Sequence, residues 1–92
     1  GHSLWDWDIP GDRVTRTPAL GEDAATGMLA RVHGEDIVQV RAALDEHLRG
    51  HSEQYSAQFR FRQADGQWRW VLDRGRVVAR TADGQPLRMV GT

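Results

Sequence analysis

Residues 52–92, SEQYSAQFRFRQADGQWRWVLDRGRVVARTADGQPLRMVGT, read as a three-stranded antiparallel meander. Two copies of Ala-Asp-Gly-Gln, at 64–67 and 82–85, punctuate it. Each sets Asp-Gly between segments rich in aromatic and β-branched residues, a strong local signal for a hairpin. Asp tolerates a left-handed backbone and Gly adopts one without steric cost, so the chain reverses tightly there. In the first strand Tyr55, Ala57, Phe59 and Phe61 alternate with Ser56, Gln58, Arg60 and Arg62. A period of two means a sheet with one buried and one wet side. The second strand, residues 68–81, carries Trp68, Trp70 and Leu72 in phase, which assigns them to one face. Gly75 interrupts that phase and predicts a bulge or sharp coil. The third strand begins after Pro86 with Leu87, Arg88, Met89 and Val90.

Upstream residues must supply the cover for this sheet. Leu4-Trp5-Asp6-Trp7-Asp8-Ile9 alternates strictly, with Trp5, Trp7 and Ile9 on one face and both Asp on the other, and is a strand by period and aromatic content. Pro10-Gly11-Asp12 is a turn, and residues 13–17 return to close a first hairpin. Residues 18–32 carry a weaker pattern of short helices or loop, with the lowest local stability in the domain. Residues 33–50 are the clearest helix, with Ile37, Val40, Leu44 and Leu48 on one stripe. Glu35 and Asp36 favour its positive end, and Arg49 and Gly50 its close. The element order is β-β-(short α)-α-β-β-β, an α+β chain in which helices cover one face of a single sheet. The space between helix and sheet is the natural small-molecule site.

Composition removes several chemistries. Ninety-two residues make one domain, with a soluble balance of 39% apolar and 27% charged residues. Absent cysteine excludes disulfides, thiolate catalysis and a flavin–cysteine adduct, and fits a cytoplasmic location. All twelve basic residues are arginine, so lysine Schiff-base chemistry is excluded as well. A formal charge of −1 argues against a nucleic-acid domain, and no apolar run reaches bilayer-spanning length, so no membrane contact is expected of this segment. Arginine without lysine, and the absence of Asn, point to a GC-rich bacterial source. Gly1-His2-Ser3 reads as a tag remnant and residues 4–92 as one module excised from a longer protein.

Trp5-Asp6-Trp7-Asp8-Ile9, Val32-His33-Gly34-Glu35-Asp36, Phe59-Arg60-Phe61-Arg62, Asp65-Gly66 and Arg69-Trp70-Val71 occur in that order over nearly the whole chain. Together they resemble a PAS domain of the subtype reading W-x-W-D-I, V-H-P-E-D, an F/Y-R strand, D-G and R-W-V. The resemblance implies a five-stranded antiparallel sheet in spatial order 2-1-5-4-3 flanked by helices. It further implies a sensory module that binds a small ligand or dimerises, attached to a histidine kinase or a cyclic-di-GMP enzyme. Its relatives hold haem, flavins, acids, fatty acids or nothing, so the resemblance names no cofactor. Three departures stand out. Gly34 replaces the family's proline, the segment between the second strand and the main helix is short, and the coupling Asp-Ile-Thr after the last strand is missing.

Phase alone gives the candidate ligand-binding residues: Trp7, Ile9, Val14, Leu29, Ile37, Val40, Leu44, Phe59, Phe61, Trp70, Leu72 and Met89. His47 stands at the edge of the helical stripe, where some haem-binding relatives carry the iron ligand. It reads instead as a boundary histidine at the helix end, favourable to the dipole when protonated, which disfavours haem. His33 reads as a cap or hinge. Asp6 and Asp8 read as solvated carboxylates paired with Arg60 or Arg62 across the sheet rather than as an acid–base pair. Arginines 60, 62, 69, 74, 76 and 80 read as a basic sheet face, solvated or turned to a second copy in a homodimer. No nucleophile–base pair, phosphate-cradling loop or metal motif is present, so the chain reads as non-enzymatic. The competing reading is a ligand-free PAS-like module whose shortened helical wall leaves only protein interaction.

Overall fold

The computed structural model describes residues 4–17, 22–23 and 25–92. Residues 1–3, read from sequence as a tag remnant, and residues 18–21 and 24 of the weak segment 18–32 lie outside them. Along the chain run β1 (Leu4–Asp8), β2 (Arg13–Thr17), β3 (Glu22–Asp23), α1 (Ala25–Leu29), α2 (Ile37–Leu48), β4 (Tyr55–Arg62), β5 (Trp68–Arg80) and β6 (Pro86–Gly91). All strands join one sheet in the order β3-β2-β1-β6-β5-β4. Apart from the two-residue β3, this is the expected five-stranded 2-1-5-4-3 arrangement.

The twin turns close alike. The Gln63 N–H donates to the Gln67 carbonyl at 2.8 Å and the Thr81 N–H to the Gln85 carbonyl at 2.9 Å. Gly66 and Gly84 take φ of 85° and 90°. These turns fix the register: Phe59 faces Val71, Phe61 faces Arg69, and Val77 faces Met89. Directly paired residues share a face. Val71, Asp73, Gly75 and Val77 therefore lie on the helix side with Phe59, while Trp68, Trp70 and Leu72 lie on the other.

This corrects the face read from the aromatic alternation. Trp70 and Leu72 are 60% and 52% exposed, and the Arg60 guanidinium carbon lies 5.2 Å from the Trp70 ring centroid. The bulge at Gly75 is a second correction. Gly75 pairs regularly with Tyr55 and Gly91, and the register shifts instead between Val77 and Arg80. Gly75 is small for a packing reason: a Cβ there would stand 2.5 Å from Trp5 Cη2, and one at Gly91 would overlap the same ring. The Trp5 indole thus lies across two glycines of neighbouring strands.

Two apolar clusters fill the space under the helices. The first joins Trp5, Val14, Tyr55 and Met89, with Met28, Leu44, Leu48 and Val77 against them. The second joins Val32, Val40 and Phe59, with Leu29, Ile37, Phe61 and Val71. The free edge of β4 is covered by the chain that enters α2. The His33 N–H donates to the Arg60 carbonyl at 2.8 Å, and the Arg62 N–H to the Arg31 carbonyl at 2.9 Å. Covering an edge in this way blocks unwanted strand addition. No helix among the described residues is long and apolar enough to cross a membrane.

Candidate ligand cavity

Between α1, α2 and the strands β2, β4 and β5 lies a half-open cavity of about 820 Å³, in the upper range of small-molecule sites. Five of the candidates meet around it: Val14, Leu29, Val40, Phe59 and Phe61. Trp70 and Leu72 border it through the strand that carries them, with their side chains turned to the opposite face. Trp7, Ile9, Ile37, Leu44 and Met89 do not line it. Met89 is fully buried in the first cluster, and Trp7, Ile9 and Leu44 pack against that cluster. Ile37 packs on the second. The Trp7 indole N–H donates to Asp12 Oδ1 at 3.1 Å, which ties the first hairpin rather than reaching the cavity.

The polar lining escaped the sequence reading. Asp73 points inward from β5 and accepts a hydrogen bond from Trp5 Nε1 at 2.9 Å. Burial pushes its carboxyl up to about 6, partly offset by that bond and by the Arg16 charge. Tyr55 stands on the adjoining strand, opposite Gly75, and burial together with the Asp73 charge raises its phenol well above the usual range. Arg16 Nη2 approaches Met28 Sδ at 3.2 Å along the same wall. At the far end Arg31 and Arg69 flank Phe61: the Arg31 guanidinium carbon lies 4.7 Å from the ring centroid, and Arg69 is the cross-strand partner of Phe61. Tyr55 was visible in phase with Phe59, but a charged Asp73 at an inward position breaks the apolar pattern and carried no signal.

The model of the PAS fold family matches residues 20–92. The chain belongs to the PAS-fold family. A PAS domain is a sensory module and not itself catalytic. This one superposes on a sensory box histidine kinase/response regulator from Burkholderia thailandensis with a TM-score of 0.83 and 29% identity. The match covers 97% of this chain and 72% of the other. The N-terminal domain of a diguanylate cyclase with PAS/PAC sensor from Marinobacter aquaeolei gives 0.80 at 17% identity, covering 97% and 89%. At that identity the likeness shows the fold alone. No curated protein sequence matches.

In this PAS domain the Val32–Asp36 motif is a clamp on β4. Asp36 stands at the N-cap of α2, but its side chain makes no cap bond. It turns to Arg60 instead, accepting from the backbone N–H at 2.8 Å, from Nε at 3.0 Å and from Nη2 at 2.9 Å. These bonds hold its carboxyl down to about 2. His33 accepts the Glu35 N–H at Nδ1, 3.1 Å away, and its ring meets Trp68 at 4.7 Å between centroids. The expected pairing of Asp6 and Asp8 with Arg60 or Arg62 is not formed, because β1 and β4 are not neighbours. Asp6 pairs with Arg88, and Asp8 with Arg13.

His47 is also not a solvated boundary residue. It is buried, its Nδ1–H donates to the Ser52 carbonyl at 2.9 Å, and its Nε2 accepts the Val77 N–H at 2.9 Å. The ring pins the end of α2 to β5 beside the register shift. The basic face holds only in part. Arg69 lines the cavity, and Arg80 donates to the Leu48 and Gly84 carbonyls, leaving Arg62, Arg74 and Arg76 exposed on the outer side.

Proposed function

We propose that this PAS domain holds a small molecule in the cavity under α2 and thereby controls an attached signalling domain of histidine kinase or cyclic-di-GMP type in the bacterial cytoplasm. The observation that carries this reading is the cavity itself, with apolar walls and a few convergent polar groups. The likeness to sensor regions of a histidine kinase and a diguanylate cyclase supports the choice of output. The route outward starts at Asp73. It lines the cavity and holds the indole of Trp5, whose strand lies against β6 with Trp5 facing Gly91. The first and last strands therefore leave the sheet side by side. A ligand that binds one packing of α2 on the sheet better than another shifts their population, and β1 and β6 carry that shift to the flanking chain. Native mass spectrometry of protein purified from cells tests the reading: a stoichiometric bound mass, lost on denaturation, is expected. Protein that is empty from every preparation sinks it.

The outer sheet face supports a second reading, a homodimer, because Leu4, Trp68, Trp70 and Leu72 are each about half exposed or more. Sedimentation equilibrium of wild type against Trp70→Ser separates this reading from a purely monomeric sensor.

A further inference from the structure

We infer that the cavity's ligand is an amphipathic organic carboxylate, its acid group seated between Arg31 and Arg69 and its apolar body over Phe59 and Val40. This inference rests on the small-molecule reading of the cavity and names the chemical class it takes. Arg13, Arg49, Arg60 and Arg88 each meet a carboxylate. Arg31 and Arg69 meet none among the described residues, yet both line the cavity. Arg31 is already oriented, because its Nε donates to the Arg62 carbonyl at 2.9 Å and its guanidinium lies over Phe61. Its remaining donors are preorganised, so little rotamer entropy is lost when they bind. Arg69 is the cross-strand partner of Phe61 and lines the same cavity. Two guanidiniums in one cavity lining give an anion charge-assisted bonds that a neutral group cannot match.

The middle of the cavity is apolar, with Val40 and Phe59 buried and Val71 half-buried. It accepts a hydrocarbon or aryl body, whose removal from water favours binding. The Tyr55 and Asp73 end adds a place for a hydroxyl or amide on the ligand's far end. A cationic ligand is disfavoured, because Arg16, Arg31 and Arg69 outnumber Asp73 in the lining.

The test is calorimetric titration with octanoate and phenylacetate, set against octanamide and phenylacetamide, which keep the body and remove the charge. At least one acid should bind at least about tenfold more tightly than its amide. Arg69→Gln should erase that preference without changing the circular dichroism, since Arg69 is an exposed side chain on a regular strand. An amide that binds as tightly as its acid, or an acid preference that survives both Arg69→Gln and Arg31→Gln, overturns the carboxylate assignment and leaves the cavity reading standing. If neither acid binds at millimolar concentration while native mass spectrometry shows a bound mass, the assignment again falls alone. If mass spectrometry is empty too, the cavity reading falls with it.

Discussion

The two apolar clusters sit under the same helix and on the same sheet face, yet they share the cavity unequally: Val14 and Tyr55 of the first line it, while Trp5 and Met89 stand away from it. Around Met89 the packing is complete: the side chain is fully buried, and Trp5 lies on two glycines with no room for a Cβ. Phe59, Val40 and Val32 of the second cluster all line the cavity of about 820 Å³. Sequence hydrophobicity does not separate the two, because both are built from aromatic, aliphatic and β-branched residues. Backbone approach separates them. Gly75 and Gly91 let the Trp5 indole lie directly on β5 and β6, whereas the inward positions opposite Phe59 and Phe61 carry the side chains of Val71 and Arg69. Met89→Ala tests the solid side most strongly. It should cost about 2–5 kcal/mol in urea unfolding, since a close-packed site cannot collapse onto the gap. A cost below that range would mean the first cluster is as loosely packed as the second.

Asp73 stands where the two regions meet, and its titration reports on that boundary. Its folded pKa of about 6 lies above the ordinary aspartate value of 3.8. The stability that comes from holding its proton is fully present below about pH 3.8 and is lost as the pH rises to about 6. That difference corresponds to about 3 kcal/mol. Asp73→Asn keeps an oxygen to accept the Trp5 N–H and has no charge to bury. The variant should therefore gain stability over wild type across that window, reaching about 3 kcal/mol at neutral pH. Stability curves that stay parallel from pH 4 to pH 7 would show that Asp73 is solvated rather than buried against the cavity wall.

Much of this arrangement was legible. The twin Asp-Gly turns, the alternation of β4 and the stripe of α2 gave the closing meander and the helix that covers it, while the order of the strands came only with the PAS resemblance. Each rests on a local rule: turn chemistry, a period of two, a period near 3.6. Five candidate residues gather at the cavity because β2, β4 and α2 kept their predicted inner faces. Trp70 and Leu72 failed because the aromatic run on β5 marks the outer face. The pairing counted outward from Asp65 puts Phe59 opposite Val71, so the cue lay in the turn rather than in hydrophobicity. His47 and Asp73 were illegible for another reason. Val77, which bonds His47, and Trp5, which bonds Asp73, come from strands distant in sequence, and a polar residue facing inward declares itself only when that partner is in place.

The finest test uses one substitution at two places on β5. Val71 and Val77 lie on the same strand and the same face, both half-buried, so β-propensity and the loss of a β-branched side chain are matched. Val77 packs against the Met89 cluster, and its N–H is held by His47. Val71 borders the cavity opposite Phe59. Val77→Leu forces an extra methylene into filled space and should cost about 1–3 kcal/mol. Val71→Leu extends into the void and should change stability by less than about 1 kcal/mol, while weakening whatever the cavity binds. Equal costs at the two sites would mean that the space beside Phe59 is closed in solution, and the contrast between the two clusters would then disappear.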